Sequence, residues 1–210
     1  MTARHRRFVV IPPLTGDRES FREEDDRFDR IYPNWVQTHS RTYWTPVLVA
    51  RRFAELLPLP PSARVLDVGC GVGKFCLAAQ QYSPAFFFGV ECVDRLVEVA
   101  RDAAMRLPTL RASFLRADAF ELDWRQFDAL YFFNPFGGCP NEVSARMSAR
   151  ERDRLFRNSV GRTRERLAAL LTGARVVLYH GYGGDLPDGF EVETAEWCGS
   201  GILEVWRKTH

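Results

Sequence analysis

From residue 63 onward the chain alternates short apolar runs with stretches in which apolar residues recur at helical spacing. Ala63 to Val68 is a strand-like run ending in glycines, and Phe75 to Tyr82 can form the helix behind it. Phe86 to Glu91 is almost continuously apolar, as a strand covered on both faces of a parallel sheet has to be. Asp94 is placed to cap the next helix, whose apolar positions Leu96, Val97, Ala100, Ala103, Ala104 and Leu107 repeat until Pro108 stops it. Ser113 to Arg116 and Phe127 to Phe133 read as the third and fourth strands. Leu155 to Leu171 reads as a long amphipathic helix closed by Gly173, and Ala174 to Tyr179 as a fifth strand. The end breaks the alternation: Phe190 to Trp197 and Ile202 to Trp206 are two strand patterns joined by Gly199-Ser200-Gly201, hence an antiparallel hairpin. The pattern predicts an α/β sheet with one reversed edge.

Upstream, residues 1–40 read as an arm or helical extension and residues 41–210 as the main domain. Asp17 to Arg30 is a run of mixed charge interrupted by Phe21 and Phe28, which suits either a short helix laying one stripe on the body or a solvated arm. From Trp44 to Leu57 the apolar residues fall on one helical face, predicting a helix that starts near Thr45-Pro46 and ends before Pro58.

Composition narrows the class. With 46% hydrophobic and 27% charged residues the profile is that of a globular protein. The apolar runs are far shorter than the ~20 residues of a spanning helix, so no membrane partner is expected and a cytoplasmic location follows by default. The five cysteines form no close pair, so neither a disulfide framework nor a metal site is suggested. A net charge of +2 is too small to point to nucleic acid.

The most informative segment is Asp67-Val68-Gly69-Cys70-Gly71-Val72-Gly73, where a buried strand passes through alternate glycines into a helix. Glycine permits positive φ and close approach of a ligand to the main chain, and open α/β sheets bind ligands at the carboxyl ends of their strands. A dinucleotide turn would have glycine at position 74, and a phosphate loop would have Ser or Thr at 75; this chain has Lys74 and Phe75. The turn is therefore either an adenosyl-ligand cradle or a plain strand-to-helix bend. Glu91 ends the second strand, where a carboxylate can accept both ribose hydroxyl protons. Asp118 follows the third, where its carboxylate or the Ala119 amide can reach an adenine amino edge.

Residues 63–136 thereby resemble the first three motifs of the class I S-adenosylmethionine-dependent methyltransferases, with Asp-x-Gly-x-Gly-x-Gly as the specific part. The resemblance implies a Rossmann-like three-layer α/β/α sandwich with a mostly parallel seven-stranded sheet, and S-adenosylmethionine as cofactor. It implies that Asp67 and Gly69, in the turn with Cys70, Gly71 and Gly73, hold the amino-acid end, that Glu91 holds the ribose, and that Cys92, Asp118 and Ala119 surround the adenine. Ser40 to Pro46 resembles a leader that lids the cofactor in bacterial methyltransferases, which puts Thr45 at the ligand.

At the end of the fourth strand stands Asn134-Pro135-Phe136. In amino-group methyltransferases a similar position carries Asn-Pro-Pro-aromatic, whose amide, carbonyl and ring hold the acceptor nitrogen; the second proline is absent here. The resemblance makes Asn134, Pro135 and Phe136 the candidate catalytic residues, with Asn134 also touching the cofactor, against a plain proline turn with Phe136 in the core. Gly71-Val72-Gly73-Lys74 and Gly89-Val90-Glu91 are also similar to non-SET histone lysine methyltransferases. A protein or small-molecule amine of unknown identity is the expected acceptor, His180 the best-placed base for a hydroxyl one, and a catalytically silent S-adenosylmethionine-binding module the alternative. Gly137 to Ser148 reads as a mobile loop over the acceptor.

Overall fold

The computed structural model describes residues 18–107, 111–137 and 147–210. Seven strands form one sheet in the order β3-β2-β1-β4-β5-β7-β6: β1 (Arg64–Val68), β2 (Phe86–Glu91), β3 (Ala112–Arg116), β4 (Ala129–Phe132), β5 (Arg175–Tyr179), β6 (Phe190–Cys198) and β7 (Gly201–Lys208). β1 to β5 pair in parallel, and β7 runs antiparallel to both β5 and β6. The order reverses beside β1, so the carboxyl ends of β1 and β4 frame the crevice where such sheets bind ligands.

Side-chain alternation along β1 divides the core. Val65 joins one apolar cluster with α3 (Val47–Leu56), α4 (Lys74–Ala79) and α5 (Asp94–Ala104). Leu66 and Val68 join the other, covered by α6 (Ala149–Ala168) and the single 3-10 turns at Ala119–Glu121 and Trp124–Gln126. The result is the Rossmann-like three-layer α/β/α sandwich with a reversed hairpin edge. No helix among the described residues is long and apolar enough to cross a membrane.

The charged segment from Arg18 onward forms α1 (Arg18–Phe28) and a 3-10 turn at Asp29–Ile31, followed by α2 (Asn34–Tyr43). A buried cation fastens it. Lys74 Nζ, on a side chain 1% exposed at the first position of α4, lies 2.7 Å from Asp25 Oδ1, 2.9 Å from Asp29 Oδ1 and 2.7 Å from Ser40 Oγ. Asp25 Oδ1 also accepts the Val47 amide at 2.9 Å, satisfying an orphan N–H of α3 that its own N-cap, Pro46, cannot serve. Lys74 is the residue that breaks the dinucleotide-turn pattern, and here it serves assembly.

One local expectation is corrected. Asp94 does not cap α5: Val93 holds that position without a side-chain bond, and Asp94, as the first helical residue, pairs with Arg116 Nε at 2.5 Å. The carboxylate still stands at the positive end of the helix. Cys139 and the loop through 138–146 lie outside the described residues, as does the side chain of Phe21.

Candidate functional site

The glycine turn leaves β1 with positive φ at Gly69 (72°), Gly71 (54°) and Gly73 (75°). The amides of Gly69 and Cys70 both donate to Val90 O, at 2.9 and 3.0 Å, which ties the bend to the end of β2. The three glycines do different work. A β-carbon at Gly69 would lie 2.7 Å from Pro135 Cβ, and one at Gly71 would lie 2.5 Å from Trp44 Cζ3. One at Gly73 would meet the Phe114 ring at 2.4 Å. Gly73 therefore serves packing between α4 and the sheet, and the first two serve the crevice.

A cavity of about 280 Å³ opens there, lined by Thr42, Tyr43, Trp44, Gly69, Gly71, Glu91, Leu96, Phe133, Asn134, Pro135 and Gly137. Glu91 is held with its oxygens pre-oriented: Oε2 accepts from Gly71 N at 3.1 Å, and Oε1 from Cys92 N at 2.8 Å and Val93 N at 3.0 Å. The indole N–H of Trp44 is buried with no acceptor among the described residues. Such a donor costs stability unless a ligand or water meets it.

Asp67 precedes the turn, 4% exposed and outside the cavity lining, 3.5 Å from the Cys76 thiol. Burial pushes its carboxyl up to about 8; the Cys76 contact lowers it and the Glu91 charge raises it further. A cation brought beside Asp67 would reverse that shift. Buried Asp67, the Glu91 oxygens, the bare turn and the orphan indole N–H together fit a cationic, hydroxyl-bearing adenosyl ligand.

The other expected positions lie further out. Thr45 is buried with its hydroxyl 3.0 Å from Tyr131 OH, behind the lining. Cys70 is buried against Gly89. Cys92 is exposed beside Glu91, its thiol pushed up to about 11 by burial of the sulfur and by that carboxylate. Asp118 caps the Ala119 turn through Phe120 N at 3.0 Å and pairs with Arg162 at 3.3 Å. Asp118, Ala119 and Cys92 are absent from the cavity lining.

On the acceptor side, Asn134 and Pro135 line the cavity. Asn134 has φ 43° and His180 φ 58°, and the Asn134 amide donates to Gly181 O at 2.8 Å, coupling the ends of β4 and β5. Two left-handed non-glycine residues side by side are the kind of stored strain found at functional sites. His180 Nε2 lies 3.1 Å from Ser200 Oγ, and burial lowers its proton affinity. Phe136 instead stacks on Phe120 at 6.0 Å and packs with the second apolar cluster, outside the lining. Phe133, the residue before Asn134, contributes the ring at the cavity, packed 5.5 Å from His180. Leu96 and Phe133 had no motif to mark them; their apolar spacing is that of ordinary core.

Residues 65–156 match the family model described as a methyltransferase domain. That segment is a methyltransferase domain of the class I S-adenosylmethionine-dependent kind. S-adenosylmethionine is accordingly the cofactor of this methyltransferase domain. It is 38% identical over 74 residues to the 23S rRNA (uracil(1939)-C(5))-methyltransferase RlmD of Photobacterium profundum, a match spanning 33% of this chain and only 16% of that relative. In fold it is similar to TrmN from Thermus thermophilus, with a TM-score of 0.61 and 23% identity over 88% of this chain and 53% of the other. It is also similar to an RNA methyltransferase from Salinibacter ruber in complex with S-adenosyl-L-homocysteine, with a TM-score of 0.51 and 21% identity over 79% and 94%.

Proposed function

We propose that this methyltransferase domain transfers a methyl group to an acceptor nitrogen held at Asn134-Pro135. The observation that carries the reading is the contact between Gly69 and Pro135: a β-carbon at Gly69 would sit 2.7 Å from Pro135 Cβ, so the cofactor turn and the acceptor turn share one wall of the same cavity. S-adenosylmethionine, when bound, supplies a sulfonium-activated methyl carbon. Asp67 and the Gly69-Gly71 backbone would hold its amino-acid end, and Glu91 its ribose. The remaining task of the protein is alignment and exclusion of water, from which much of the acceleration of a displacement can come. Trp44, Phe133 and Leu96 wall the cavity with apolar surface. An amine must arrive with its lone pair free, its proton lost to solvent. The Asn134 amide oxygen and the Pro135 carbonyl can then accept from the N–H groups that remain and aim the lone pair.

A second reading, in which the acceptor is an RNA base, draws on relatives whose names include a 23S rRNA uracil C(5)-methyltransferase and an RNA methyltransferase. Net charge does not stand against it, because a balance over the whole chain says nothing of how charge is distributed. Incubation with methyl-labelled S-adenosylmethionine and fractionated cell extract tests both readings. Label in the protein or small-molecule fraction supports the amine, and label in RNA nucleosides supports the base. No label in any fraction, with S-adenosylhomocysteine still bound, would make the chain a silent cofactor-binding module.

A further inference from the structure

Net positive charge is concentrated on one helix. α6 carries seven arginines against three acids, a larger positive excess than the +2 of the entire chain. Its inward face is apolar and seated beside the acceptor turn. A β-carbon at Gly183 would lie 2.3 Å from the Phe156 ring and one at Gly184 2.7 Å from Val160, while Thr163 and Leu167 are fully buried. Gly183 and Gly184 follow Gly181, whose carbonyl holds the Asn134 amide.

The arginines divide by face. Arg162 lies 4.1 Å over the Phe120 ring and pairs with Asp118, and Arg166 donates to Phe120 O; both are engaged in docking the helix. Arg150, Arg154, Arg157 and Arg164 fall at i, i+4, i+7 and i+14, a spacing that puts them within about 80° of arc on one side of the helix. All four are exposed. Arg157 reaches back to Asp153 at 2.6 Å, whereas Arg150, Arg154 and Arg164 have no ion pair or side-chain hydrogen bond among the described residues. Of the acids, Glu151 is turned into a capping box with Ser148 and Asp153 is held by Arg157, which leaves Glu165 beside the stripe.

We propose that the stripe Arg150-Arg154-Arg157-Arg164 binds the sugar-phosphate backbone of an RNA acceptor and leads it to the cavity at Asn134-Pro135. This rests on the RNA reading above. At 1.5 Å per residue the stripe is about 21 Å long, roughly six stacked nucleotides at ~3.4 Å each. Guanidinium forks engage phosphate oxygens two at a time, which suits an exposed arginine stripe to a phosphate backbone. An anionic membrane fits less well, because a surface-binding helix needs a free apolar face opposite its cations. Here that face is already buried in the core, with Leu155 left at 45% exposure.

The test measures binding of a fluorescent 20-nucleotide single-stranded RNA to the full chain between 50 and 200 mM salt. It compares the R150E/R154E/R164E variant with a control, R22E/R27E/R30E, that makes the same charge change at exposed N-terminal positions. The stripe variant is expected to bind at least tenfold more weakly and to lose about 2 from the slope of log affinity against log salt, near 0.7 per lost phosphate contact. S-adenosylhomocysteine affinity should be unchanged in both variants, and the control should bind RNA within about twofold of the parent. Absence of RNA binding by the parent, equal loss in both variants, or stripe-dependent binding to phosphatidylserine vesicles in place of RNA would each overturn the proposal. Label transfer to a protein or small-molecule acceptor that survives in the stripe variant would overturn it while leaving methyl transfer intact. Stripe-dependent RNA binding without label transfer would instead uphold the stripe and remove the methyl-transfer reading.

Discussion

Lys74 Nζ stands 2.7 Å from Asp25 Oδ1 inside the protein, and the same carboxylate oxygen accepts the first amide of α3. One buried cation thus joins α1, α3 and α4 next to the glycine turn. Breaking a buried pair by removing one partner leaves the other charge uncompensated, at a cost of about 3–5 kcal/mol. Lys74→Ala is expected to lower the unfolding free energy by about that amount, measured by urea denaturation. The triple variant Lys74→Met, Asp25→Asn, Asp29→Asn should recover much of the loss, because no charge then remains buried and the carboxamide oxygen introduced at position 25 can still accept the Val47 amide.

Gly71 cannot carry a side chain without moving Trp44. Gly71→Ala adds a β-carbon 2.5 Å from Trp44 Cζ3 on a backbone with φ 54°, and the left-handed conformation alone costs about 1–2 kcal/mol. The expected result is a lower melting temperature together with weaker S-adenosylhomocysteine binding by calorimetry. Gly73→Ala should cost stability through Phe114 and Ala100 while leaving the cavity wall in place.

Removing either acid should weaken the cofactor. Glu91→Ala deletes the acceptor shared by Gly71 N, Cys92 N and Val93 N and any bond to the ribose. Loss of a charge-assisted hydrogen bond of this kind is worth about 1.5–3 kcal/mol, which calorimetry with S-adenosylhomocysteine would read as a dissociation constant raised at least tenfold. Unchanged affinity would remove Glu91 from the ribose site.

Asp67 makes the free protein pH-sensitive. Its folded-state carboxyl, raised to about 8 by burial, stays protonated where the unfolded chain has already lost the proton at its ordinary value of 3.8. The native state therefore binds more protons than the unfolded state between those values, and this group's contribution to stability falls as pH rises from about 4 to 8. A bound ammonium beside Asp67 favours the carboxylate, so cofactor binding should release a proton at neutral pH and tighten toward pH 8. Calorimetry at pH 7 in buffers of different ionisation enthalpy would detect the release, and Asp67→Asn should abolish it.

Much of the fold was legible in the residue pattern because its signals are local. The run Val65 to Val68 into glycines, the helical spacing from Leu96 to Ala104 and the hairpin glycines 199–201 each specify their own element, and parallel strands with helical crossovers leave few ways to assemble. The conformation of the turn was legible for the same reason: φ is a property of single residues, and Gly69 and Gly71 stand at the crevice. Asp94 was misread because a capping residue and its neighbour inside the helix differ by one position, which sequence spacing does not resolve.

Tertiary structure alone decided what depends on partners distant in the chain. Asp25 caps a helix that starts 22 residues later, and Lys74 finds its counter-charges 45 and 49 residues upstream. Phe136 turned to Phe120 while Phe133 took the cavity, and the arginines of α6 were sorted into those that dock the helix and those that face water. Sequence spacing sets which residues share a face, but the free energy of a buried charge or an apolar ring is set by what surrounds it. Those surroundings exist only once the sheet has brought separate segments together.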